Sequence, residues 1–481
     1  MEIETSKTQH KKYSLTSECH IFPIEEMNNE QVAYFPLKSL IIKINDTAAE
    51  LLKKLKNNNT IKTSNKDEID FLNNLEKMQI INGPDDVIPD FPYYEFPEST
   101  DTILFPTFKC NLNCLYCYSN AAESDDDMPF HLAKSAIDTI VENAKKKNKN
   151  RITVGFHGGG EPTLNWDVLI RSVEYTKIKC GLENLDYKFS ICTNGILSED
   201  KAIFIAENFS DISISLDGPP DIQNFNRPMI SGKPSYEYVA RTLNILKSRK
   251  ALYGIRITVT DSSIKNLVET YKFLAENFQP VATAFEPLFF CGRCKTTNCK
   301  EPDSDEFIIK MKKVIDLSIK YGIMPRYSGG RIIKLDTRFC GAAGSNFFIT
   351  PNGLVTSCLE VTRREDPKSD IFIYGSYNDK EKKFNFDLKR YKKLVSLRLQ
   401  TFNSCKDCFA RWHCSGDCIA KNPDVNNIES TRNNYRCKIN KALTKYLLYC
   451  ELKRPELLKN KKRYDNLRKE KIKKEKQIKY V

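Results

Sequence analysis

The chain has 481 residues, 40% of them hydrophobic, which allows a sizeable core and two or three domains. It contains no run of about 18 apolar residues and no apolar N-terminal signal segment, so we expect a cytoplasmic protein without a membrane partner. The net charge is +13, but residues 453–481 carry 13 Lys/Arg against 4 Asp/Glu, leaving only +4 elsewhere. Because such a terminal charge run is usually a solvated tail, we expect no nucleic-acid partner, with binding of an acidic partner as the alternative.

The 17 cysteines are the strongest signal in the sequence. A cytosolic compartment keeps thiols reduced, and the odd number disfavours complete pairing into disulfides. Dense cysteines at short spacings therefore indicate metal or cluster ligands.

The first predicted domain covers residues 1–88, with an N-terminal extension before a small folded unit. The segment VAYFPLKSLIIKIN predicts two strands broken at Pro36, and NDTAAELLKKLK predicts a helix with Asn45 or Asp46 as its N-cap. A second helix is expected over NKDEIDFLNNLEKMQII, ending before Gly83. Residues 89–101 are proline-rich and read as a linker.

Residues 102–330 alternate between strand and helix patterns. Six strands are predicted, in TILFPTF, ITVGFHG, YKFSICTNG, DISISLDG, GIRITVT and VATAFEPLFF. Repeated β–α units favour a parallel sheet or barrel with its site at the C-terminal ends of the strands. Six strands do not complete an eight-stranded barrel, so the predicted fold class is α/β with an open, partial (β/α)6 barrel.

Residues 331–450 combine weak periodicity with many cysteines, which predicts a loop-rich domain held by metal. Residues 451–481 are predicted to form a basic helical tail.

A cysteine triplet follows the first strand of the barrel. Cys110, Cys114 and Cys117 have C-x3-C-x2-C spacing, and three thiolates on one loop hold three irons of a [4Fe–4S] cluster. The fourth iron then stays open to a small chelating molecule, and Tyr116 would stack on a purine. Three structural thiols or a zinc site are the alternatives, although structural zinc normally takes four ligands.

This triplet, with an aromatic residue before its last cysteine, resembles the signature of the radical S-adenosylmethionine (SAM) superfamily. The resemblance implies that Cys110, Cys114 and Cys117 are catalytic cluster ligands and that SAM chelates the open iron. Reductive cleavage of SAM would then give a 5′-deoxyadenosyl radical that abstracts a hydrogen atom.

Further motifs follow successive strands, as this resemblance requires. In GGGEP, Gly159, Gly160 and Glu161 match the glycine-rich motif that approaches the methionine moiety of SAM. The remaining cofactor-binding candidates are polar residues after the third and fourth strands: Asn194 at the turn, Ser215 and Asp217 for the ribose hydroxyls, and Arg227 for the carboxylate.

Seven later cysteines resemble the SPASM extension of peptide-modifying radical enzymes in every short spacing. Cys340 and Cys358 fit C-x12-G-x4-C. Cys405, Cys408, Cys414 and Cys418 fit C-x2-C-x5-C-x3-C, and Cys437 follows at a distance. The resemblance implies two auxiliary [4Fe–4S] clusters, hence three clusters in all. It assigns Cys340, Cys358 and Cys418 to the first, with its fourth position open or closed by another cysteine. The second takes Cys405, Cys408, Cys414 and Cys437. A zinc ribbon is the alternative for the CxxC pair.

Other cysteines fall outside these patterns. Cys291, Cys294 and Cys299 lie within nine positions and would complete the first auxiliary cluster, bind another metal or act as redox thiols. The isolated cysteines are interpreted as ordinary buried thiols: Cys19, Cys180, Cys192 and Cys450.

The N-terminal strand–strand–helix order resembles the winged-helix leader-binding domain of ribosomal peptide maturation. Such a domain would bind a precursor's leader as an added strand at a sheet edge. An accessory wing packed on the barrel is the alternative. Together the resemblances indicate a peptide maturase similar to thioether-forming sactipeptide and ranthipeptide enzymes. Its partners would be a precursor peptide and a flavodoxin or ferredoxin reductant.

Two other functions compete with thioether formation. Anaerobic sulfatase-maturating enzymes share the SPASM pattern and make formylglycine. They carry a catalytic aspartate directly after the cysteine that matches Cys358, where this chain has Leu359. Glu360 follows and is our candidate proton acceptor. An iron–sulfur scaffold or electron carrier is the non-enzymatic alternative, which the open triplet with GGGEP disfavours.

Overall fold

The computed structural model describes residues 12–58, 61, 63, 65–89, 95–121, 124–332, 335–422 and 434–454. The expected extension up to residue 11, part of the linker (90–94) and the basic tail from residue 455 lie outside the described residues.

The N-terminal unit is a three-stranded antiparallel sheet followed by two helices. Its elements are β1 His20–Ile24, β2 Glu30–Phe35, β3 Leu40–Lys43, α1 Asp46–Asn58 and α2 Lys66–Lys77, with strand order β1-β2-β3. The break at Pro36 and both helices are as expected, and the Asn45 side chain accepts from Ala48 N at 2.9 Å. Strand β1 was not expected. Apolar residues of both helices and the sheet form a core separate from the main one.

The large sheet has eleven strands in the order β10-β9-β8-β7-β6-β5-β4-β11-β12-β13-β14. Strands β4 to β10 are mutually parallel, and β11 joins β4 in parallel. The strands of this first part are β4 Asp101–Leu104, β5 Arg151–Phe156, β6 Asp186–Thr193, β7 Asp211–Ser215, β8 Tyr253–Val259, β9 Ala282–Pro287 and β10 Met324–Arg326. All six expected strands are present, and short β10 adds a seventh. The fold is therefore a mixed α/β fold with a large parallel sheet.

Helices connect these strands, and the longer ones cover the outer face of the sheet. They are α3 Phe130–Lys146, α4 Trp166–Leu182, α5 Glu199–Asn208, α6 Pro220–Asn226, α7 Tyr236–Ser248, α8 Leu267–Asn277, α9 Cys294–Thr297 and α10 Ser304–Tyr321. Strand residues that face the helices are apolar and buried, such as Val154, Ile191 and Ile255. The opposite face carries polar residues, including Cys192 and Arg256, and this inner face lines the site.

The C-terminal segment extends the same sheet with antiparallel strands. Its elements are β11 Phe348–Ile349, β12 Leu354–Thr356, α11 Ser369–Phe372, β13 Ile373–Asn378, β14 Lys383–Phe386, α12 Leu388–Ser396, α13 Arg411–Cys414 and α14 Asn434–Lys453. Thr102 Oγ1 on β4 donates to Phe347 O at 2.9 Å, and one hydrophobic core runs through both parts. The cysteine-rich segment is thus attached to the parallel sheet by hydrogen bonds.

Candidate active site

The cysteine triplet lies on a loop after β4, which we call the cluster loop (residues 105–121). Backbone hydrogen bonds fix it to the segment after α6: Asn113 N donates to Pro228 O at 2.8 Å and Leu115 N to Asn226 O at 3.0 Å. Burial raises the pKa of Cys110 to about 12 and that of Cys114 to about 11. Without a bound cation these thiols keep their protons, and metal binding would displace the protons.

The glycine-rich motif after β5 touches the cluster loop directly. Ser119 Oγ donates to Gly159 O at 2.6 Å, and Glu161 N donates to Lys109 O at 2.8 Å. A Cβ on Gly160 would lie 2.1 Å from Lys109 O, so only glycine allows this approach. The motif and the loop therefore form one unit.

Glu161 joins the ends of β5 and β6. Its carboxylate is buried and accepts from Thr193 Oγ1 at 2.6 Å, Thr163 Oγ1 at 2.7 Å and Asn194 N at 2.7 Å. Burial raises the pKa of Glu161, while these donors oppose the rise. Asn194 Nδ2 also donates to Asn111 Oδ1 at 2.7 Å, so the turn after β6 contacts the cluster loop.

Asp217 organises the predicted ribose side of the site. Its carboxylate accepts from Tyr116 Oη, from Thr258 N at 3.0 Å and from Asn226 Nδ2 at 3.2 Å. Arg227 lies over the Tyr116 ring at 5.2 Å. The Asp217 side chain is fully buried, so in this arrangement it positions Tyr116 and Arg227 rather than facing open space. Ser215 is half-buried on the inner face of β7.

Two observations fit a small polar cofactor at this place. Among the described residues, Arg227 Nε is buried and finds no hydrogen-bond partner, although it lies 3.1 Å from Asp217 Oδ1. The glycine-rich motif also brings backbone carbonyls up to the cluster loop, where a Cβ on Gly159 or Gly160 would meet Phe108 or Lys109. A carboxylate would satisfy the guanidinium, and backbone carbonyls would accept from an ammonium group.

The inner face of the sheet holds a polar group that the sequence did not reveal. Gly158 N donates to His157 Nδ1 at 2.7 Å, which leaves Nε2–H to hydrogen-bond the Cys192 sulfur. Burial alone would raise the pKa of Cys192, but His157 and Arg256 outweigh it and lower the pKa to about 7. Cys192 was interpreted as an ordinary thiol because its strand face is not visible in the sequence.

Four of the later cysteines line one cavity of about 330 Å³: Cys405, Cys408, Cys414 and Cys437. Cys437 reaches it from α14, and Asn440 Nδ2 donates to Cys414 Sγ at 3.6 Å. Arg436, also on α14, forms a buried ion pair with Asp417 at 2.8 Å. The helix is thereby fixed beside the cavity.

Cys340, Cys358 and Cys418 form a second group. Burial is the main reason that the pKa of Cys358 is raised, and the other two thiols and Glu360 add to it, so these groups lie within electrostatic range of one another. Glu360 is 3.8 Å from Lys421 and also acts on Tyr118, the residue after Cys117. Glu360 therefore lies within electrostatic range of both this group and the cluster loop.

Within the described parts of the chain, no group of three or more His, Cys, Asp or Glu side chains is arranged around a single metal-ion position. In the same residues, no helix combines the length and apolar character needed to cross a membrane.

Comparison with known proteins identifies the parallel sheet and its loop. The family model of the Radical SAM superfamily matches residues 104–274, which include the triplet and the glycine-rich motif. This part of the chain is a radical SAM domain.

The similar proteins match different shares of this chain, at different sequence identities. A Methanocaldococcus jannaschii protein is 36% identical over 176 residues, and the match covers 36% of this chain and 57% of that relative. A cysteine-type anaerobic sulfatase-maturating enzyme of Clostridium perfringens is 23% identical over 361 residues, which is 70% of this chain and 93% of the relative. The structure of native anSMEcpe with bound AdoMet is similar at a TM-score of 0.59 and 21% identity, over 76% of this chain and 99% of that one. This last likeness concerns the fold alone.

A radical SAM domain implies SAM and one [4Fe–4S] cluster as cofactors. Cys110, Cys114 and Cys117 would hold the cluster, and the polar atoms around Arg227 and the glycine-rich motif would receive SAM. When bound, these groups supply the radical that abstracts a hydrogen atom. The chain's own residues shape the site, exclude water and fix the loop.

Proposed function

We propose that this radical SAM enzyme is a maturase of ribosomally made peptides that forms a cross-link from a cysteine, preferably a thioether. The observation that carries the proposal is the place of Glu360, which lies within electrostatic range of both the cluster loop and the group of Cys340, Cys358 and Cys418. A substrate beside Glu360 would be near both the hydrogen-abstracting site and thiols able to hold a cluster.

The two later groups of cysteines are our proposed auxiliary [4Fe–4S] sites. The cavity lined by Cys405, Cys408, Cys414 and Cys437 supports a fully ligated cluster. The first group supplies three thiols, so its cluster would keep a position for the substrate thiolate or take one further cysteine. A cluster there would also accept the electron left when the carbon–sulfur bond forms. A flavodoxin or ferredoxin would reduce the radical SAM cluster.

The N-terminal unit is our proposed leader-binding domain. Strand β3 pairs with β2 on one side and is an edge of its sheet on the other, as strand addition requires. The unit also contacts the cysteine-rich segment, since Arg411 Nη2 and Trp412 Nε1 donate to Glu18 at 2.6 and 2.7 Å. We assign residues 1–88 to this domain, 102–330 to the radical SAM domain and 331–450 to the auxiliary-cluster domain.

Formylglycine formation is the second candidate, favoured by the sulfatase-maturating relative that aligns over most of its length. Leu359 in place of an aspartate and the N-terminal sheet weigh against it. In either reaction Glu360 is the proposed proton acceptor.

One experiment separates these functions. The enzyme is reconstituted without oxygen, reduced, and given SAM with precursor peptides encoded near its gene, each with and without leader, and with a sulfatase-derived cysteine peptide. The proposal expects the leader-bearing precursor to lose two hydrogen atoms and a free thiol. Formylglycine in the sulfatase peptide, with no change in any precursor, would contradict the proposal and support the second candidate function.

A further inference from the structure

The segment Cys291–Cys299, which we call the brace segment, follows β9 and packs against the cluster loop. It contains the three cysteines that neither proposed auxiliary group uses. Cys294 and Cys299 are buried beside Tyr116 and Leu288, and Cys114 and Leu115 pack against them. The two thiols are hydrogen-bonded to each other, which closes the segment on itself.

Four hydrogen bonds run from the brace segment to carbonyls of the cluster loop. Arg293 Nη1 donates to Cys114 O at 2.9 Å, and Nη2 donates to Ala121 O at 2.6 Å. Arg293 N donates to Cys117 O at 3.0 Å, and Thr297 Oγ1 donates to Leu115 O at 2.7 Å. One guanidinium group therefore ties together two parts of the loop that are seven residues apart.

Gly292 allows this contact to be so close. It has a φ of +54°, and a Cβ there would lie 2.2 Å from Cys117 O. A side chain at this position would push the brace segment away from the carbonyl of a cluster ligand. The glycine and arginine thus act together on the loop.

Arg293 also brings a positive charge near the triplet, because its guanidinium is 2.9 Å from the carbonyl oxygen of the cluster ligand Cys114. The reduction potential of an iron–sulfur cluster depends on local charge, hydrogen bonds and solvent exposure. A nearby cation favours the reduced cluster, which carries one more electron.

We propose that Arg293 is a positioning residue of the radical SAM cluster, which fixes the cluster loop through its two carbonyl contacts and raises the reduction potential through its charge. The inference rests on the radical SAM domain and not on the peptide substrate. It predicts separable effects for the charge and for the hydrogen bonds. The same contacts give Cys294 and Cys299 a structural role, as the packed base of the brace segment.

The test compares Arg293→Gln, Arg293→Lys and Thr297→Val with Arg249→Gln, an exposed arginine that pairs with Glu207 at 3.0 Å. The variants are reconstituted without oxygen, and the electron paramagnetic resonance signal that shifts on adding SAM is titrated against potential. That shift selects the cluster that binds SAM, whatever other clusters are present. The half-time of iron loss to a chelator is measured in parallel.

We expect a more negative midpoint potential in Arg293→Gln, together with iron loss that is several-fold faster than in wild type. Arg293→Lys keeps the charge but cannot hold both carbonyls, so its potential should stay near wild type while iron loss accelerates. Thr297→Val should accelerate iron loss at an unchanged potential. If Arg293→Gln folds with wild-type potential and iron retention, the inference is wrong. If it does not fold, unchanged iron retention in both Arg293→Lys and Thr297→Val would overturn it.

Discussion

Gly160 is a single residue on which the contact between the glycine-rich motif and the cluster loop depends. A Cβ there would meet Lys109 O at 2.1 Å, so Gly160→Ala must push the two segments apart. We expect a loss of stability of about 1–3 kcal/mol, typical of an overpacked site, together with weaker SAM binding. Calorimetry of SAM binding and denaturant unfolding measure both.

Gly181 provides the control, because it is near the end of α4 and a Cβ there would meet nothing within 4 Å. Gly181→Ala should leave SAM binding unchanged and stabilise the protein by up to about 1 kcal/mol. Equal behaviour of the two variants would contradict the proposed close contact.

The pKa of the Cys192 thiol is a property that can be tested. Its pKa is lowered to about 7, since His157 and Arg256 outweigh the effect of burial. Because folding lowers the pKa of this thiol, its ionisation stabilises the folded protein at pH values above the pKa that the thiol has in the unfolded chain. This stabilisation is lost as the pH falls through about 7. We expect the alkylation of Cys192, followed by peptide mass spectrometry, to rise with a midpoint near pH 7.

In His157→Gln this midpoint should move upward, toward the value of an ordinary thiol. Cys450, whose pKa is raised to about 12 mainly by burial, serves as the internal control and should stay unreactive over the same range. An unchanged Cys192 profile in the variant would show that His157 does not stabilise the thiolate.

At the scale of elements, helix α14 depends on a buried ion pair. Arg436 on α14 and Asp417 form two hydrogen bonds, at 2.8 and 2.9 Å, and both side chains are almost fully buried. Asp417→Asn leaves a buried cation without its counter-charge, so we expect a loss of about 3–5 kcal/mol. Denaturant unfolding measures the change.

The exposed pair of Lys383 and Glu381, at 2.8 Å, is the matched control. Glu381→Gln should lower the free energy of unfolding far less than Asp417→Asn, because exposed pairs are well screened. Similar losses in the two variants would mean that the ion pair does not anchor α14.

The elements that the sequence predicted correctly share one physical property. Strands β4 to β9 are continuous apolar or alternating runs that end in glycine or polar turns, and such runs are typical of buried parallel strands. Strand β10 has only three residues and β1 contains Pro23, so neither gives a clear pattern. Strands β11 to β14 are short, and β11 pairs with β4 from far along the chain, which local periodicity does not reveal.

The features of the candidate site also differ in whether the sequence could predict them. Cysteine spacing is a local property, so the triplet was predictable as a group. The grouping of Cys437 with Cys405, Cys408 and Cys414 around the later cavity followed from the resemblance to the SPASM extension and not from spacing. The pairing of His157 with Cys192 and the contact of Arg293 with the cluster loop join distant segments. They depend on which strand face and which loop come together, and only the fold supplies that information.

At the scale of the whole molecule, the N-terminal unit is joined to the cysteine-rich segment by a polar contact. Glu18 accepts from Arg411 and Trp412, Tyr34 contacts His413, and Phe22 packs on Phe409 with ring centres 4.6 Å apart. Glu18→Ala removes the carboxylate shared by Arg411, Trp412 and His20, so we expect faster hydrogen exchange across β1 and α13 with little change in β6. Hydrogen-exchange mass spectrometry measures this, with the exposed Glu50→Ala as control. Unchanged exchange in β1 would show that the unit is held by other contacts.

The measurement that most directly tests the account is hydrogen transfer from the peptide itself. A precursor deuterated at its carbon-bound positions is incubated with the reconstituted, reduced enzyme and SAM, and the 5′-deoxyadenosine is analysed by mass spectrometry. The account predicts that one deuterium enters 5′-deoxyadenosine as the peptide gains its cross-link. Unlabelled 5′-deoxyadenosine together with a cross-linked peptide would contradict hydrogen abstraction from the carbon-bound positions of the peptide.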